Sequence, residues 1–136
     1  MGDTSELLTG GWQGIYYYPA RFEPVPFEAS LIEFEGLVAG TTSEINRVAG
    51  GAEQKMQGHL NGERSGDAVH FSKVYVGAPD QHRLEILYAG TVRDKGTRIE
   101  GTWTIPGDWS GVFKMTRTRQ QQVWFRRRWW FEKTGV

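Results

Sequence analysis

A chain of 136 residues, 38% hydrophobic and 13% aromatic, suffices for one buried core and is too apolar for a disordered segment. The absence of cysteine excludes disulfides, thiolate zinc sites, iron–sulfur clusters and cysteine nucleophiles. Sixteen bases balance sixteen acids, yet residues 1–53 carry net −6 and residues 114–136 net +6.

The acidic start, MGDTSELLTGG, lacks the basic and apolar stretches of a secretion signal, and no apolar run reaches the length of a membrane helix. The cytoplasm is therefore the expected compartment. Eight strand-length segments follow, at 11–19, 28–35, 38–45, 55–60, 69–75, 83–91, 98–105 and 112–119. In the second, Glu33 and Glu35 alternate with Ile32 and Phe34, and the glutamates are expected on a wet exterior. Glu35-Gly36 makes a tight turn into the third. Stretch 45–53, with two glycines, reads as a loop. Asn61-Gly62 and Ser65-Gly66-Asp67 are expected to bend the chain after the fourth segment. Val69, Phe71, Lys73 and Tyr75 share one face of the fifth; Leu84, Ile86, Tyr88 and Gly90 share one of the sixth. Asp94-Lys95-Gly96 leads to the seventh, where Ile99, Gly101 and Trp103 oppose the polar set Arg98, Glu100, Thr102 and Thr104. Pro106-Gly107-Asp108 precedes the eighth.

No stretch offers a long amphipathic helix, so parallel crossovers have no material. Short links between successive strands point to an all-β, antiparallel up-and-down β-barrel of about eight strands, which also removes sheet edges. A sandwich is the alternative. Mid-strand glycines at 14, 40, 58, 90 and 101 support closure, since a glycine costs a strand stability unless a bend or a crossing side chain needs it. The expected organisation is a single barrel domain over residues 1–122 and a basic, aromatic arm over 123–136.

Gly10-Gly11-Trp12 resembles the G-x-W of lipocalins, and Trp12-Gln13-Gly14 with the later Gly101-Thr102-Trp103 resembles avidin-type barrels. The lipocalin resemblance implies an eight-stranded calycin barrel holding a small, largely apolar ligand. It also implies that Trp12 packs at the closed end beneath an arginine from the last strand, Arg117 or Arg119.

Three scattered histidines, His59, His70 and His82, show no metal-ligand spacing and read as surface residues; no metal or cofactor is expected. Ser72 and His70 share a face and Glu85 could be a third member, but no nucleophile elbow or oxyanion loop accompanies them, so no catalytic residue is assigned. Lys73 is the more informative residue. In register with aromatics, it reads either as an interior counter-charge for an anionic ligand or as a side chain snorkelling at a rim. Tyr16, Phe71, Tyr75, Tyr88 and Trp103 complete the candidate ligand-binding set, and would equally suit a solid core.

After the eighth segment, Trp124, Phe125, Trp129, Trp130 and Phe131 bracket Arg126, Arg127 and Arg128. Such an arm suits docking on the chain's own acidic surface, contact with a second copy, an anionic membrane interface or stacked nucleic acid. The first two are preferred over the last two, and a homodimer is the expected assembly. The reading is thus a small-molecule-binding barrel, with two alternatives: an interaction module that oligomerises through the arm, and a cofactor-free barrel enzyme.

Overall fold

A computed structural model describes residues 6–19, 23–47, 53–77 and 84–118. The strands are β1 (Gly10–Tyr17), β2 (Val25–Phe34), β3 (Leu37–Arg47), β4 (Glu53–Ser65), β5 (Ala68–Tyr75), β6 (Ile86–Arg93), β7 (Arg98–Thr104) and β8 (Ser110–Arg117). Each pairs antiparallel with the next, and β8 returns to β1 through pairs from Trp12↔Arg117 to Tyr17↔Val112. The protein is an all-β, eight-stranded, closed antiparallel barrel.

Alternation places one face of every strand inside. Trp12, Tyr16, Phe27, Leu31, Val38, Leu60, Val69, Phe71, Tyr88, Ile99, Trp103, Phe113 and Met115 are all buried in one cluster. The glycines make room for this interior. A Cβ at Gly90 would lie 2.9 Å from Ile99 Cγ2 and 3.0 Å from Phe113 Cζ; one at Gly101 would meet the Gly90 Cα at 2.5 Å. Gly90 and Gly101 are cross-strand partners, so two strands approach closely where Phe113 crosses them.

The two ends of the barrel differ. At one, β2–β3, β4–β5 and β6–β7 close through tight turns whose left-handed positions are Glu35 and Gly36, Gly66, and Asp94, Lys95 and Gly96. At the other lie the β1–β2, β3–β4, β5–β6 and β7–β8 connections, each longer than the turns of the first end. These are the hairpin end and the loop end.

Three expectations are corrected. Asn61 and Gly62 do not turn: they lie within β4, paired with Ser72 and Phe71, and the reversal comes at Gly66. Gly62 instead permits close approach, because a Cβ there would meet the Phe71 Cα at 2.5 Å. The expected loop over 45–53 is shorter, since β3 runs to Arg47 and β4 begins at Glu53. Glu33 is not on the exterior. It shares the inward face with Phe27, Ala29 and Leu31, while Ile32 and Phe34 are 63% and 68% exposed. Its carboxylate is 3.0 Å from Arg64 Nη1, and a charge so paired can occupy an inward position.

Candidate functional site

At the hairpin end the N-terminal segment folds across the barrel. Leu8 is fully buried, its N–H donates to Glu33 Oε1 (2.9 Å), and its carbonyl accepts from Trp12 Nε1 (2.9 Å). Arg117 lies over the Trp12 ring, 4.8 Å from its centroid. It donates from Nε to Gly96 O (2.9 Å), from Nη1 to Thr9 O (3.0 Å) and from Nη2 to Leu7 O. Arg64 donates to Glu6 O (2.8 Å) as well as to Glu33. Of the two arginines considered for the place above Trp12, Arg117 holds it; Arg119 lies outside the described residues. Trp12 is fully buried at this end, bonded to the Leu8 carbonyl and covered by Arg117.

The loop end carries the chemistry. Inward positions of β1, β3 and β5 bring Tyr16, Glu44, Lys73 and Tyr75 together. Tyr16 OH donates to Glu44 Oε2 at 2.6 Å. Lys73 Nζ lies 3.3 Å and Tyr75 OH 3.2 Å from Glu44 Oε1, so both carboxylate oxygens are engaged. The Lys73 ammonium also sits 5.0 Å from the Tyr16 ring centroid, 5.9 Å from Phe27, 4.8 Å from Tyr75 and 5.5 Å from Tyr88. Four rings and one carboxylate thus enclose one cation. Gly58 gives the lysine its path: a Cβ there would lie 3.0 Å from Lys73 Cγ and 2.7 Å from Thr42 Oγ1. That Thr42 hydroxyl is buried without a hydrogen-bond partner.

Lys73 is only 1% exposed, so it does not snorkel to a rim. Burial pulls its pKa below the ordinary lysine value, and Glu44 opposes that pull through charge and hydrogen bonding. Burial likewise pushes the Tyr16, Tyr75 and Tyr88 phenols well above the ordinary tyrosine value, so all three remain neutral donors into strongly alkaline solution.

The six residues singled out as a ligand-binding set lie in one contiguous interior region. Tyr16, Tyr75 and Tyr88 face Lys73 directly. Phe71 stacks on Tyr88 (5.1 Å), and Trp103 meets Tyr16 edge-on (6.0 Å). Sequence reasoning missed Glu44 and Thr42. Extending the Val38, Gly40 alternation along β3 by two steps places both inside, which is the signal that would have found them. His59 and His70 are exposed on the outer wall. His82 and the arm residues Trp124, Arg126, Arg127, Arg128, Trp129 and Trp130 lie outside the described residues. No group of three or more His, Asp or Glu with metal-site geometry occurs among the described residues. An open concavity of about 310 Å³ on the outer wall, lined by Glu28, Ser30, Gln57 and His59, also reaches Thr42 and Gly58, which border the Lys73 stem. Comparison with protein-family models, with curated proteins and with solved structures finds no match to this chain.

Proposed function

We propose that the chain is a small-molecule-binding barrel of lipocalin-like type, taking a largely apolar ligand with one polar group at the loop end. The observation that carries this reading is the buried Glu44–Lys73 pair with its two phenols. Removing two charges from water costs several kcal/mol per ion, and an apolar core of the same volume is commonly at least as stable. A charged pair ringed by four aromatic side chains, with no backbone segment to tie down as Arg64 and Arg117 have at the hairpin end, therefore reads as a recognition element rather than a device for stability. The Trp12–Arg117 latch supports the lipocalin-like part of the reading, because it stands where that resemblance puts a tryptophan and an arginine. Glu44 neutralises Lys73, so a neutral polar group is preferred over an anion as the ligand's head.

The test is native mass spectrometry for copurified ligand, joined to titration with neutral N-phenyl-1-naphthylamine and anionic anilinonaphthalene sulfonate. Saturable binding of the neutral dye at one per chain, stronger than that of the anionic dye, is expected. A bare mass together with no saturable binding of either dye rejects the reading.

A second reading has its own observation. Ile32, Phe34 and Leu37 are more than half exposed, and Phe34 and Leu37 are cross-strand partners on the outer wall. Such a ridge suits contact with a second copy of this chain. Light scattering decides it: a dimer converted to monomer by Phe34→Asp supports an interaction module, and a monomeric wild type removes it.

A further inference from the structure

We propose that Lys73 is an imine-forming residue, so that the ligand class of the barrel includes aldehydes of apolar, planar shape. This rests on the ligand-binding reading above and specifies the reactive group of the ligand. Three placements carry it. The amine is held inside four aromatic rings, between 4.8 and 5.9 Å from their centroids, where an unsaturated aldehyde would find apolar surface. Glu44 Oε1 is 3.3 Å from the nitrogen, within reach of the proton the ammonium must lose before it can attack. The Thr42 hydroxyl, buried and unpartnered, flanks the same glycine as the lysine stem and leaves one unused hydrogen-bonding group along the Lys73 side chain.

The chemistry balances without an external reagent. The ammonium gives a proton to Glu44, and the freed lone pair attacks the carbonyl carbon. The C–N bond forms while the C=O π bond breaks, and the carbonyl oxygen takes the proton back from Glu44. The carbinolamine then loses its oxygen as water. One of that water's protons comes from nitrogen, relayed by the carboxylate, and the other is already on the oxygen. The product is a protonated imine whose positive charge remains beside the Glu44 carboxylate. Thus one ammonium and one aldehyde give one iminium and one water, with no change in charge or oxidation state. Tyr16 and Tyr75 act as positioning residues, holding the two carboxylate oxygens in place. Desolvation supports the same step, since each unit by which the lysine pKa falls raises its neutral fraction about tenfold.

The experiment uses the full chain near neutral pH with limiting cinnamaldehyde. Cyanoborohydride traps any imine, and peptide mapping locates it. Cinnamyl alcohol, the same shape without a carbonyl, is titrated in parallel by tryptophan fluorescence. We expect one cinnamyl group per chain, at Lys73, in at least about tenfold excess over the exposed Lys55, Lys95 and Lys114. Lys73→Arg keeps the cation and should lose the adduct; its fold is checked by circular dichroism. If that variant does not fold, competition by cinnamyl alcohol against wild-type labelling replaces it, and protection of Lys73 alone is the supporting result. Saturable alcohol binding with Lys73 unlabelled, or labelled no more than the exposed lysines, overturns the imine and leaves the binding reading standing. No alcohol binding and no preferential adduct overturns both.

Discussion

Lys73 carries a positive charge to a position 1% exposed, and the side chains around it determine what that costs. Removing the lysine alone strands Glu44 in the interior with two phenols. Removing both charges leaves a site that apolar atoms can fill. Lys73→Met is therefore expected to destabilise by about 3–5 kcal/mol, whereas Lys73→Met with Glu44→Gln should recover most of that loss. Urea midpoints of the two singles and the double give the coupling directly. Additive losses would mean that the two groups do not act as a pair. The sequence shows Lys73 on an apolar face but not its partner, because Glu44 lies 29 positions away and meets it only through the pairing of β3 and β5 with β4, across Gly58. Tyr88 allows a separate test. Its folded-state pKa is raised, so above the ordinary tyrosine value near 10 the unfolded chain loses a proton that the folded chain keeps. Stability must then fall with rising pH from about 10 upward, by about 1.4 kcal/mol per pH unit for each such tyrosine. Tyr16 and Tyr75 add to the slope in the same direction. Lys73 acts oppositely: its lowered pKa makes the unfolded chain the better proton binder up to about 10.5, so it adds stability on approach to that pH and nothing further beyond it. Tyr88→Phe should flatten the alkaline limb of a pH series of urea melts; a limb of unchanged slope would show that the phenol titrates alike in both states.

At the scale of strands, the pairing rests on glycines as much as on alternation. Gly90 faces Ile99 Cγ2 at 2.9 Å and Phe113 Cζ at 3.0 Å, with the Glu100 carbonyl oxygen no closer than 3.2 Å, so the side chains must give before the backbone does. Gly101 faces the backbone of Ala89 and Gly90, which does not. Both Gly90→Val and Gly101→Val should destabilise by roughly 1–3 kcal/mol, with Gly101 the costlier of the two. Equal midpoints for both variants and wild type would make these glycines incidental. The same comparison explains where the sequence was legible. β5, β7 and β8 are read to within two residues: β7 alternates cleanly between apolar and polar side chains, and in β5 and β8 the alternation is broken only by the inward Lys73 and Arg117 and the outward Val74 and Val112. In β4 the pair Asn61-Gly62 promises a turn on local chemistry alone. Its pairing on both sides, to Ala39 and Val38 and to Ser72 and Phe71, overrides that preference. At the end of β2 polarity alone predicts the faces reversed: Glu33 is drawn inward by Arg64 and the Leu8 N–H, partners supplied by other segments, and Ile32 and Phe34 are left outside.

The whole barrel is a cylinder with two unlike ends, and the N-terminal segment makes them so. Closing the sheet requires β8 to find β1 across nearly the entire chain, a contact whose loop entropy is recovered only when the ring is complete. Arg117 sits at that seam. It joins β8 to Leu7 and Thr9 ahead of β1 and to Gly96 in the β6–β7 turn, and it covers Trp12. One guanidinium thus ties three segments with donors in a planar fork, a geometry that an ammonium cannot reproduce. Arg117→Lys is therefore expected to keep the charge and lose most of the latch, at a cost of about 3 kcal/mol, given charge-assisted bonds of about 1.5–3 kcal/mol each and partial replacement by the lysine. Hydrogen exchange separates a local latch from a general loss of stability. The Leu8 amide, bound to Glu33, should lose protection by a larger factor than amides in the middle of β3 and β4, which are held on both sides by neighbouring strands. The chemistry at the loop end should be spared: Tyr16, Glu44 and Lys73 lie toward the far end of their strands, and Glu44 joins neither Arg117 nor Trp12 in any bond described. Dye affinity equal to wild type in Arg117→Lys, beside lowered protection at Leu8, would establish the hairpin end as the structural half of the barrel. Uniform loss of protection from β1 to β8, with dye affinity falling in step, would mean instead that the two ends stand or fall as one cooperative unit.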